Sequence, residues 1–407
     1  MHDATPLSLR HHRPFALYWL ARVAATIALQ MQAVAVGWQI YALTSSPLDL
    51  GLVGLTQFLP AILLVLVAGQ AADIYDRRKL VRISQTMQGL GVATLAAATA
   101  SDVISKELIL AAVFVIGGAR AFEQPTMNTL LPAVVPTAML PRAVAASSSA
   151  TQTAAIVGPA IGGLLYVLGP TFVYATCCIL FFSASLLIAL IEIERIPPKR
   201  EPLSLGVLFA GFAFIRTNPI VLGAILLDLF AVLLGGAMAL LPIFARDIFA
   251  VGPWGLGILR AAPAVGALAT GIVLSRAPFR RNVGRMMYVG VAAYGMATIV
   301  FGLSTSFAVS LAALAVLGAS DMMSVVVRQT LVQLETPDDM RGRVSAVNSL
   351  FVVGSNQLGD FRAGVTAAWL GTIPAVLIGG IGTLLVAAVW IKGFPALFNV
   401  ESYDRRG

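Results

Sequence analysis

Charged residues are scarce in this sequence. Only 11% of its 407 residues are Asp, Glu, Lys or Arg, whereas 58% are hydrophobic. Soluble domains carry about 25% charged residues, so this composition excludes an ordinary soluble fold. Lysine is especially rare, with four residues, and none lies in a G-x-x-x-x-G-K-[ST] phosphate loop. We therefore expect no ATP hydrolysis by this chain, and an ion gradient is the expected source of energy.

Cysteine and histidine are scarce as well. Cys177 and Cys178 are adjacent in an apolar run, and neighbouring residues do not form an ordinary unstrained disulfide. His2, His11 and His12 all lie in the N-terminal tail. We therefore expect no metal site, no cofactor and no histidine-based catalytic site. The polar N-terminus lacks the apolar core of a signal peptide, so the first apolar run is expected to remain as a membrane helix.

Long apolar runs are abundant. A helix needs about 20 predominantly apolar residues to cross the hydrocarbon layer of a bilayer. Spans 1 to 12 are predicted at residues 15–43, 48–72, 80–100, 108–131, 143–168, 171–191, 219–245, 253–275, 286–303, 307–333, 343–368 and 371–391. The predicted fold is thus an all-α membrane protein of twelve transmembrane helices.

Basic residues predict the orientation of these spans. With the N-terminus in the cytoplasm, twenty Lys and Arg residues fall in cytoplasmic segments, and only Lys106 and Arg246 fall on the other side. Cytoplasmic loops of membrane proteins collect Lys and Arg. Both termini are therefore expected in the cytoplasm. The same placement explains the net charge of +8 without a nucleic-acid partner.

The longest loop divides the predicted spans into two sets of six. Residues 192–218 begin with charged residues and prolines, then run apolar from Leu203 to Ile215. That stretch is too short to span the membrane. It is expected to lie as a helix along the cytoplasmic membrane surface. We predict a linker at 192–218 between an N-terminal half, 1–191, and a C-terminal half, 219–407.

The halves carry an internal repeat. An offset of 201 residues aligns three pairs most clearly: Pro136 with Pro337, Met139 with Met340 and Arg142 with Arg343. The same offset makes Asp321 the equivalent of Arg120. Parallel six-helix repeats around a central substrate site are a known plan of secondary transporters. The repeat predicts that Arg120 and Asp321 meet in at least one transport state.

Two motifs carry a resemblance to a known family. Residues 69–78, Gly-Gln-Ala-Ala-Asp-Ile-Tyr-Asp-Arg-Arg, resemble the loop between helices 2 and 3 of major facilitator transporters, whose pattern is G-x-L-A-D-R-x-G-R-R. Residues 158–163, Gly-Pro-Ala-Ile-Gly-Gly, resemble the G-P-x-x-G-G motif of its proton-antiporting exporters, with Ala154 replacing the leading Gly. The whole chain resembles this superfamily, and most closely its enterobactin-exporter and macrolide-efflux group.

The first motif departs from the family pattern at Ala71, Ile74 and Asp76. The resemblance assigns a gating role to four of its matching residues, Gly69, Asp73, Arg77 and Arg78. Asp73 is expected to cap a helix end, and the arginines to hold the halves in one state through charge and dipole contacts. Simple topogenic charge is the alternative for the arginines.

In the second motif, Gly158, Gly162 and Gly163 are expected to allow close helix approach, and Pro159 to leave the helix bendable. The resemblance implies a gating role for these four residues. Helix packing alone is the alternative interpretation.

Nine charged residues fall in the interior of the predicted spans, away from the span ends: Arg22, Arg120, Glu123, Asp228, Arg260, Asp321, Arg328, Asp360 and Arg362. Each costs at least ~2.5 kcal/mol at the bilayer centre, so partners, water or function are implied. In the family fold, helices 1, 4, 7 and 10 line the cavity. The resemblance therefore places Arg22, Arg120, Glu123, Asp228, Asp321 and Arg328 on a substrate and proton pathway.

Local spacing leaves alternatives open for these residues. Arg120 and Glu123 lie at i and i+3, and are able simply to neutralise each other. Glu123 is our first candidate for the coupling acid, followed by Asp321 and Asp228. Asp228 is alternatively expected to orient Arg22 or to stabilise its own helix.

The predicted function is proton-coupled efflux of a hydrophobic or amphiphilic small molecule, a siderophore or a drug, across the inner membrane. The expected partners are the substrate, protons and the lipid bilayer, with a monomeric protein. Uptake of a metabolite is the alternative within transport. A membrane-embedded enzyme or lipid-binding receptor is less consistent with the sequence, because the one cytoplasmic acidic pair, Asp338-Asp339, has no second acidic cluster.

Overall fold

The computed structural model describes residues 12–192, 205–277, 279 and 281–403, and within these ranges all regular structure is helical. We label the helices α1 (Arg13–Thr44), α2 (Pro47–Ile74), α3 (Arg77–Ala100), α4 (Lys106–Val134), α5 (Leu140–Tyr166), α6 (Pro170–Ala189), α7 (Leu205–Thr217), α8 (Pro219–Gly235), α9 (Gly252–Arg276), α10 (Val283–Leu303), α11 (Phe307–Glu335), α12 (Arg341–Leu370), α13 (Thr372–Gly393) and α14 (Pro395–Phe398). Short 3₁₀ and π-helical turns fill much of the interval between α8 and α9.

Eleven of the twelve predicted spans agree with helices whose ends differ by at most three residues. The seventh differs. Its helix α8 ends at Gly235, and the chain resumes in a 3₁₀ turn at Met238–Leu240 and a π-helical turn at Phe244–Ile248. A Cβ on Gly236 would lie 2.3 Å from the carbonyl oxygen of Gly359, so glycine permits close approach of the break to α12.

Nine helical segments in the described part are long and apolar enough to cross a membrane. The helices α3, α5 and α12 are absent from that set. They carry many polar side chains, such as Gln85 and Gln88 in α3 and Asn348 in α12. In membrane proteins, polar groups inside a span point toward protein or water because lipid offers no hydrogen bonds. These helices are therefore expected to contribute to the interior.

Helix ends follow local capping chemistry. Asn218 accepts hydrogen bonds through Oδ1 from the backbone N–H groups of Ile220 and Val221, at 3.0 and 3.2 Å, at the start of α8. Pro219 occupies the first helical position, where no N–H is needed. The predicted linker helix is observed as α7, which packs against α12. The part of the linker at 193–204 lies outside the described residues.

The described chain forms two compact units. Unit 1 comprises residues 12–39 and 59–192, and unit 2 comprises residues 40–58 and 205–403. In unit 1, α3 packs against α4 and α6; in unit 2, α11 packs against α9 and α10, and α8 against α12 and α13. The end of α1 and the start of α2 thus belong to unit 2. The division into halves at 1–191 and 219–407 stays a prediction.

Backbone hydrogen bonds repeat at the offset found in the sequence. The N–H of Met139 donates to the carbonyl of Pro136 at 2.9 Å, and the N–H of Met340 donates to that of Pro337 at 3.0 Å. Each turn immediately precedes a long helix, α5 or α12. The aligned Pro and Met residues therefore form the same local structure twice.

Candidate functional site

The carboxylate of Glu123 lies against two amides of α3. Gln85 Nε2 donates to Oε1 at 2.8 Å, and Gln88 Nε2 donates to Oε2 at 2.6 Å. Both glutamines are almost fully buried. The Oε1 atom of Gln85 is also buried, without a hydrogen-bond partner among the described residues. The acid is thus held by neutral donors and has an unused acceptor beside it.

Arg120, one helical turn from Glu123, lies close enough to interact with its charge. The two carboxylate oxygens are nevertheless bound by the glutamines. The alternative that Arg120 and Glu123 simply neutralise each other is therefore incomplete. An arginine one turn away supplies positive charge to a carboxylate whose direct hydrogen bonds come from neutral groups.

Arg22 projects from α1 toward α4 and α5. Its Nη1 donates to the hydroxyl of Tyr18 at 2.8 Å and to Oδ1 of Asn128 at 3.3 Å, and its Nε donates to Oγ1 of Thr151 at 3.1 Å. All three acceptors are neutral. Among the described residues, no carboxylate lies within 4.0 Å of this guanidinium.

Unit 2 contains a buried ion pair that sequence spacing did not indicate. Arg328 Nη1 lies 3.2 Å from Asp228 Oδ2, and the two side chains are 4% and 7% exposed. The same nitrogen donates to Oδ1 of Asn348 at 3.0 Å. Asp228 therefore pairs with Arg328 of α11, whereas the partner proposed for it from the sequence, Arg22, is bound to neutral groups of unit 1.

Asp321 lines a cavity beside this ion pair. Asp228, Tyr294, Ser320 and Ser324 line the same cavity, which is large enough for about one water molecule. The Ser324 hydroxyl is buried without a hydrogen-bond partner among the described side chains. The structure therefore brings together two of the predicted pathway acids, Asp228 and Asp321, with Arg328.

A second charged group lies at the break after α8. Arg362 Nε and Nη2 donate to the carbonyls of Leu233 and Leu234 at 3.0 and 2.5 Å. These carbonyls lack intrahelical partners because the helix ends there, and a cation is favourable at that end. Asp360 lies near Arg362 and Arg260. The break is therefore stabilised by a charged side chain inside a membrane span.

The loop motif makes contacts within unit 1. Arg78 Nη1 donates to the carbonyl of Ile191 at 2.7 Å, and Arg77 Nη1 donates to that of Thr129 at 3.3 Å. These contacts tie the loop to α4 and to the end of α6, so topogenic charge alone does not describe the two arginines. Gly69 is buried near the end of α2.

The residue that caps α3 is Asp76, at a position where the family pattern has Gly. Its Oδ1 accepts from the backbone N–H groups of Arg78 and Lys79 at 2.9 and 3.4 Å. Burial raises the pKa of the Asp76 carboxyl, but these hydrogen bonds and the Arg78 charge lower it by more, so the pKa lies below its usual value. The side chain of Asp73, the predicted cap, lies outside the described part of the chain.

The second motif packs α5 directly on α1. A Cβ on Gly158 would lie 2.7 Å from the Cβ of Gln30, and one on Gly162 would lie 2.8 Å from the Cα of Met31. Pro159 and Gly163 are buried as well. The helix α5 runs without interruption through Pro159. The contacts agree with close helix packing, and the gating role stays a prediction.

We expect Gly162→Ala to destabilise the protein by about 1–3 kcal/mol, because a Cβ would overlap backbone atoms that have no room to move. Gly342→Ala is the matched control, since nothing lies within 4 Å of a Cβ there. Thermal unfolding of the purified variants, monitored by size-exclusion chromatography, measures the difference in stability. Equal stability of the two variants would show that α1 and α5 separate at little cost.

Several functional candidates were missed from the sequence. Gln85 and Gln88 are one turn apart on α3, and that spacing was the available signal. Tyr41 and Asp247 were also missed. The Tyr41 hydroxyl donates to Asp247 Oδ2, and Arg246 Nη1 donates to the Tyr41 carbonyl at 3.0 Å. No local pattern indicates a pair separated by 206 residues.

Comparison with known proteins gives consistent matches over nearly the full length. The chain is 27% identical over 398 residues to the enterobactin exporter EntS of Escherichia coli O1:K1 / APEC, covering 96% of this chain and 90% of that protein. EntS of Shigella boydii serotype 18 (strain CDC 3083-94 / BS512) matches with the same identity and coverage.

Solved structures share the fold at low sequence identity. A mutant form of the nucleoside transporter NupG gives a TM-score of 0.77 at 12% identity, covering 94% of this chain and 100% of that chain. A bacterial homologue of the iron transporter ferroportin gives a TM-score of 0.71 at 16% identity, covering 93% of this chain and 98% of that chain. These likenesses confirm the predicted twelve-helix fold. A family model described as transmembrane secretion effector matches residues 4–405, so the chain belongs to that family of the major facilitator superfamily, multi-pass secondary transporters of small molecules.

Proposed function

We propose that this protein is a proton-coupled exporter of a hydrophobic or amphiphilic small molecule, of the siderophore or drug type, across the inner membrane. The direction of transport is supported by the family description, which names secretion, and by the enterobactin exporters among its relatives. Both termini lie in the cytoplasm in this proposal, as the distribution of basic residues favours. The transporter acts as a monomer.

The observation that carries proton coupling is the amide site around Glu123. When Glu123 is ionised, the amides of Gln85 and Gln88 donate to its two oxygens. When it is protonated, its hydroxyl needs an acceptor, and the Oε1 of Gln85, which has no partner among the described residues, supplies one once the Gln85 amide flips. Glu123 is therefore able to form hydrogen bonds in both protonation states.

Arg120 completes the proposed coupling site. Its positive charge interacts with that of Glu123. A substrate or a conformational change that draws Arg120 away would remove that interaction. Competition of this kind links proton binding to a transport step. Asp321 and Asp228 are the second and third candidates, on the cavity-lining helices of unit 2.

Transport into inverted membrane vesicles tests the proposal. An inside-acid pH gradient should drive accumulation of at least one member of a panel of siderophores and amphiphilic dyes. Vesicles without the protein and vesicles treated with a protonophore are the controls. Accumulation that persists after the gradient has collapsed, or that requires the opposite gradient, would contradict proton-coupled export.

A further inference from the structure

The carboxylate of Asp321 lines a small cavity of unit 2 and has no direct protein partner there. Among the described residues, no group donates a hydrogen bond to it, and no Lys or Arg nitrogen lies within 4.0 Å of it. The cavity is large enough for about one water molecule. A charged group inside a membrane span calls for a partner, and this cavity has room for a small one.

The charges around the cavity do not balance when both of its acids are ionised. Of the described residues, Asp228 and Arg328 supply the charges that act on Asp321. Arg328 is already paired directly with Asp228, at 3.2 Å. Two carboxylates and one guanidinium therefore leave one uncompensated negative charge, which is costly to hold among membrane helices.

An unpaired hydroxyl lines the same cavity. Ser324 is 3% exposed, and its Oγ is buried without a hydrogen-bond partner among the described residues. A buried hydroxyl without a partner is unfavourable and calls for an explanation. Ser320, one turn earlier on α11, and Tyr294 of α10 bring two further hydroxyls to the cavity lining. The cavity thus offers carboxylate and hydroxyl oxygens to one small occupant.

Three occupants are possible, and they satisfy different groups. A proton on Asp321 removes the excess charge, but no hydrogen bond joins Asp321 to Ser324, so the hydroxyl stays unpaired. A water molecule pairs with the hydroxyl but leaves the charge. A metal cation satisfies both, because carboxylate and hydroxyl oxygens are ligands that hard cations prefer. A single excess charge favours a monovalent cation over a divalent one.

The end of α8 adds to the preference for a cation. Ala231 and Val232 line the cavity, close to the point where α8 ends at Gly235. The C-terminal end of a helix carries partial negative charge. In other secondary transporters, the ends of interrupted membrane helices take part in Na⁺ sites. The break in α8 therefore places a favourable dipole beside the two acids.

We propose that Asp321, Asp228 and the hydroxyls of Ser320 and Ser324 bind a monovalent metal cation, Na⁺, in the cavity formed by α8, α10 and α11. The bound ion neutralises the cluster and joins three helices of unit 2. This site is separate from Glu123 in unit 1. Its occupancy does not depend on the proposed export function, so binding of Na⁺ is measured without a substrate.

Binding of radioactive sodium to the purified full chain in phosphatidylcholine nanodiscs tests the proposal. Choline replaces Na⁺ at constant ionic strength and constant pH. We expect saturable binding of one ion per chain, and an unfolding temperature that rises with the concentration of Na⁺ because the ion binds the folded state. Absence of saturable binding, with the same unfolding temperature in Na⁺ and choline, would overturn the proposal and favour a proton or water.

Asp321→Asn removes the uncompensated charge and keeps the ion pair of Asp228 with Arg328. It should weaken Na⁺ binding at least about tenfold. Asp339→Asn is the control, since Asp339 is exposed in the loop before α12, and it should leave Na⁺ binding unchanged. A folded Asp321→Asn protein that binds Na⁺ as tightly as the unmodified chain would overturn the proposal.

A serine variant keeps the test decisive if Asp321→Asn does not fold. Ser324→Ala retains all three charged residues and removes one proposed ligand, so Na⁺ binding should weaken by about three- to tenfold. Ser310→Ala is the matched control, because Ser310 is also buried on α11 with an unpaired Oγ but does not line the cavity. Equal Na⁺ affinity of the two serine variants would show that Ser324 is not a ligand and would overturn the proposed site.

Discussion

Replacing Arg328 by glutamine is expected to cost about 3–5 kcal/mol of stability and to abolish transport. Arg328 lies 3.2 Å from Asp228 with both side chains buried, so the substitution leaves a buried carboxylate without its counter-charge. Asp321 lines the adjacent cavity, which adds like-charge repulsion. Thermal unfolding in detergent and transport in vesicles measure the two effects.

An exposed ion pair provides the matched control. Arg341 pairs with Asp338 at 2.5 Å, but the side chains are 52% and 88% exposed, and exposed pairs contribute about 0–1 kcal/mol. Arg341→Gln should therefore change stability little. The double variant Asp228→Asn/Arg328→Gln should recover stability relative to Arg328→Gln, because it removes the unpaired charge. An equal loss of stability in Arg328→Gln and Arg341→Gln would contradict a structural role for the buried pair.

The positions of the helices could be read from the sequence, because each span is specified by its own residues. The scan of the sequence for predominantly apolar runs places eleven helices to within three residues. The break after Gly235 could not be predicted in this way. It depends on Arg362, a residue from α12 that binds the carbonyls at the end of α8. A local scan of an apolar run contains no information about that partner.

The charged residues of the site could be identified, but their partners could not. A charged residue inside a membrane span is energetically costly, and this singles out Asp228, Arg328 and Glu123 from the sequence alone. Spacing within one helix suggested Arg120 for Glu123, whereas the direct partners are amides on α3. Asp228 and Arg328 are separated by 100 residues in sequence, and only the packing of α8 against α11 brings them together.

Glu123→Gln is expected to abolish the response of transport to a pH gradient while folding and passive substrate exchange are retained. Glutamine has nearly the shape of glutamate and is able to hydrogen-bond with Gln85 and Gln88, so the three-residue contact between α3 and α4 should persist. It does not exchange a proton, and the charge that interacts with Arg120 is lost. The Glu123→Gln variant should therefore exchange substrate passively without using the pH gradient to accumulate it.

Two assays on the same proteoliposomes measure these properties separately. Counterflow of labelled substrate, with no gradient, reports passive exchange and should be close to that of the unmodified protein. Accumulation under an imposed pH gradient should fall to the level reached with a protonophore. Glu123→Asp is the conservative comparison, because it keeps the ionisable group and shortens its reach to the glutamines. It should retain part of the gradient-driven accumulation.

The acids of unit 2 decide how a negative result is interpreted. Asp321→Asn leaves the ion pair of Asp228 with Arg328 in place, whereas Asp228→Asn removes that pair's negative partner and so also tests stability. If Glu123→Gln accumulates substrate normally and Asp321→Asn does not, the coupling acid lies at the unit 2 cavity rather than on α4. Full gradient-driven accumulation by all three single variants would show that none of these carboxylates is essential for coupling. The coupling proton would then have to bind to a group other than these three acids.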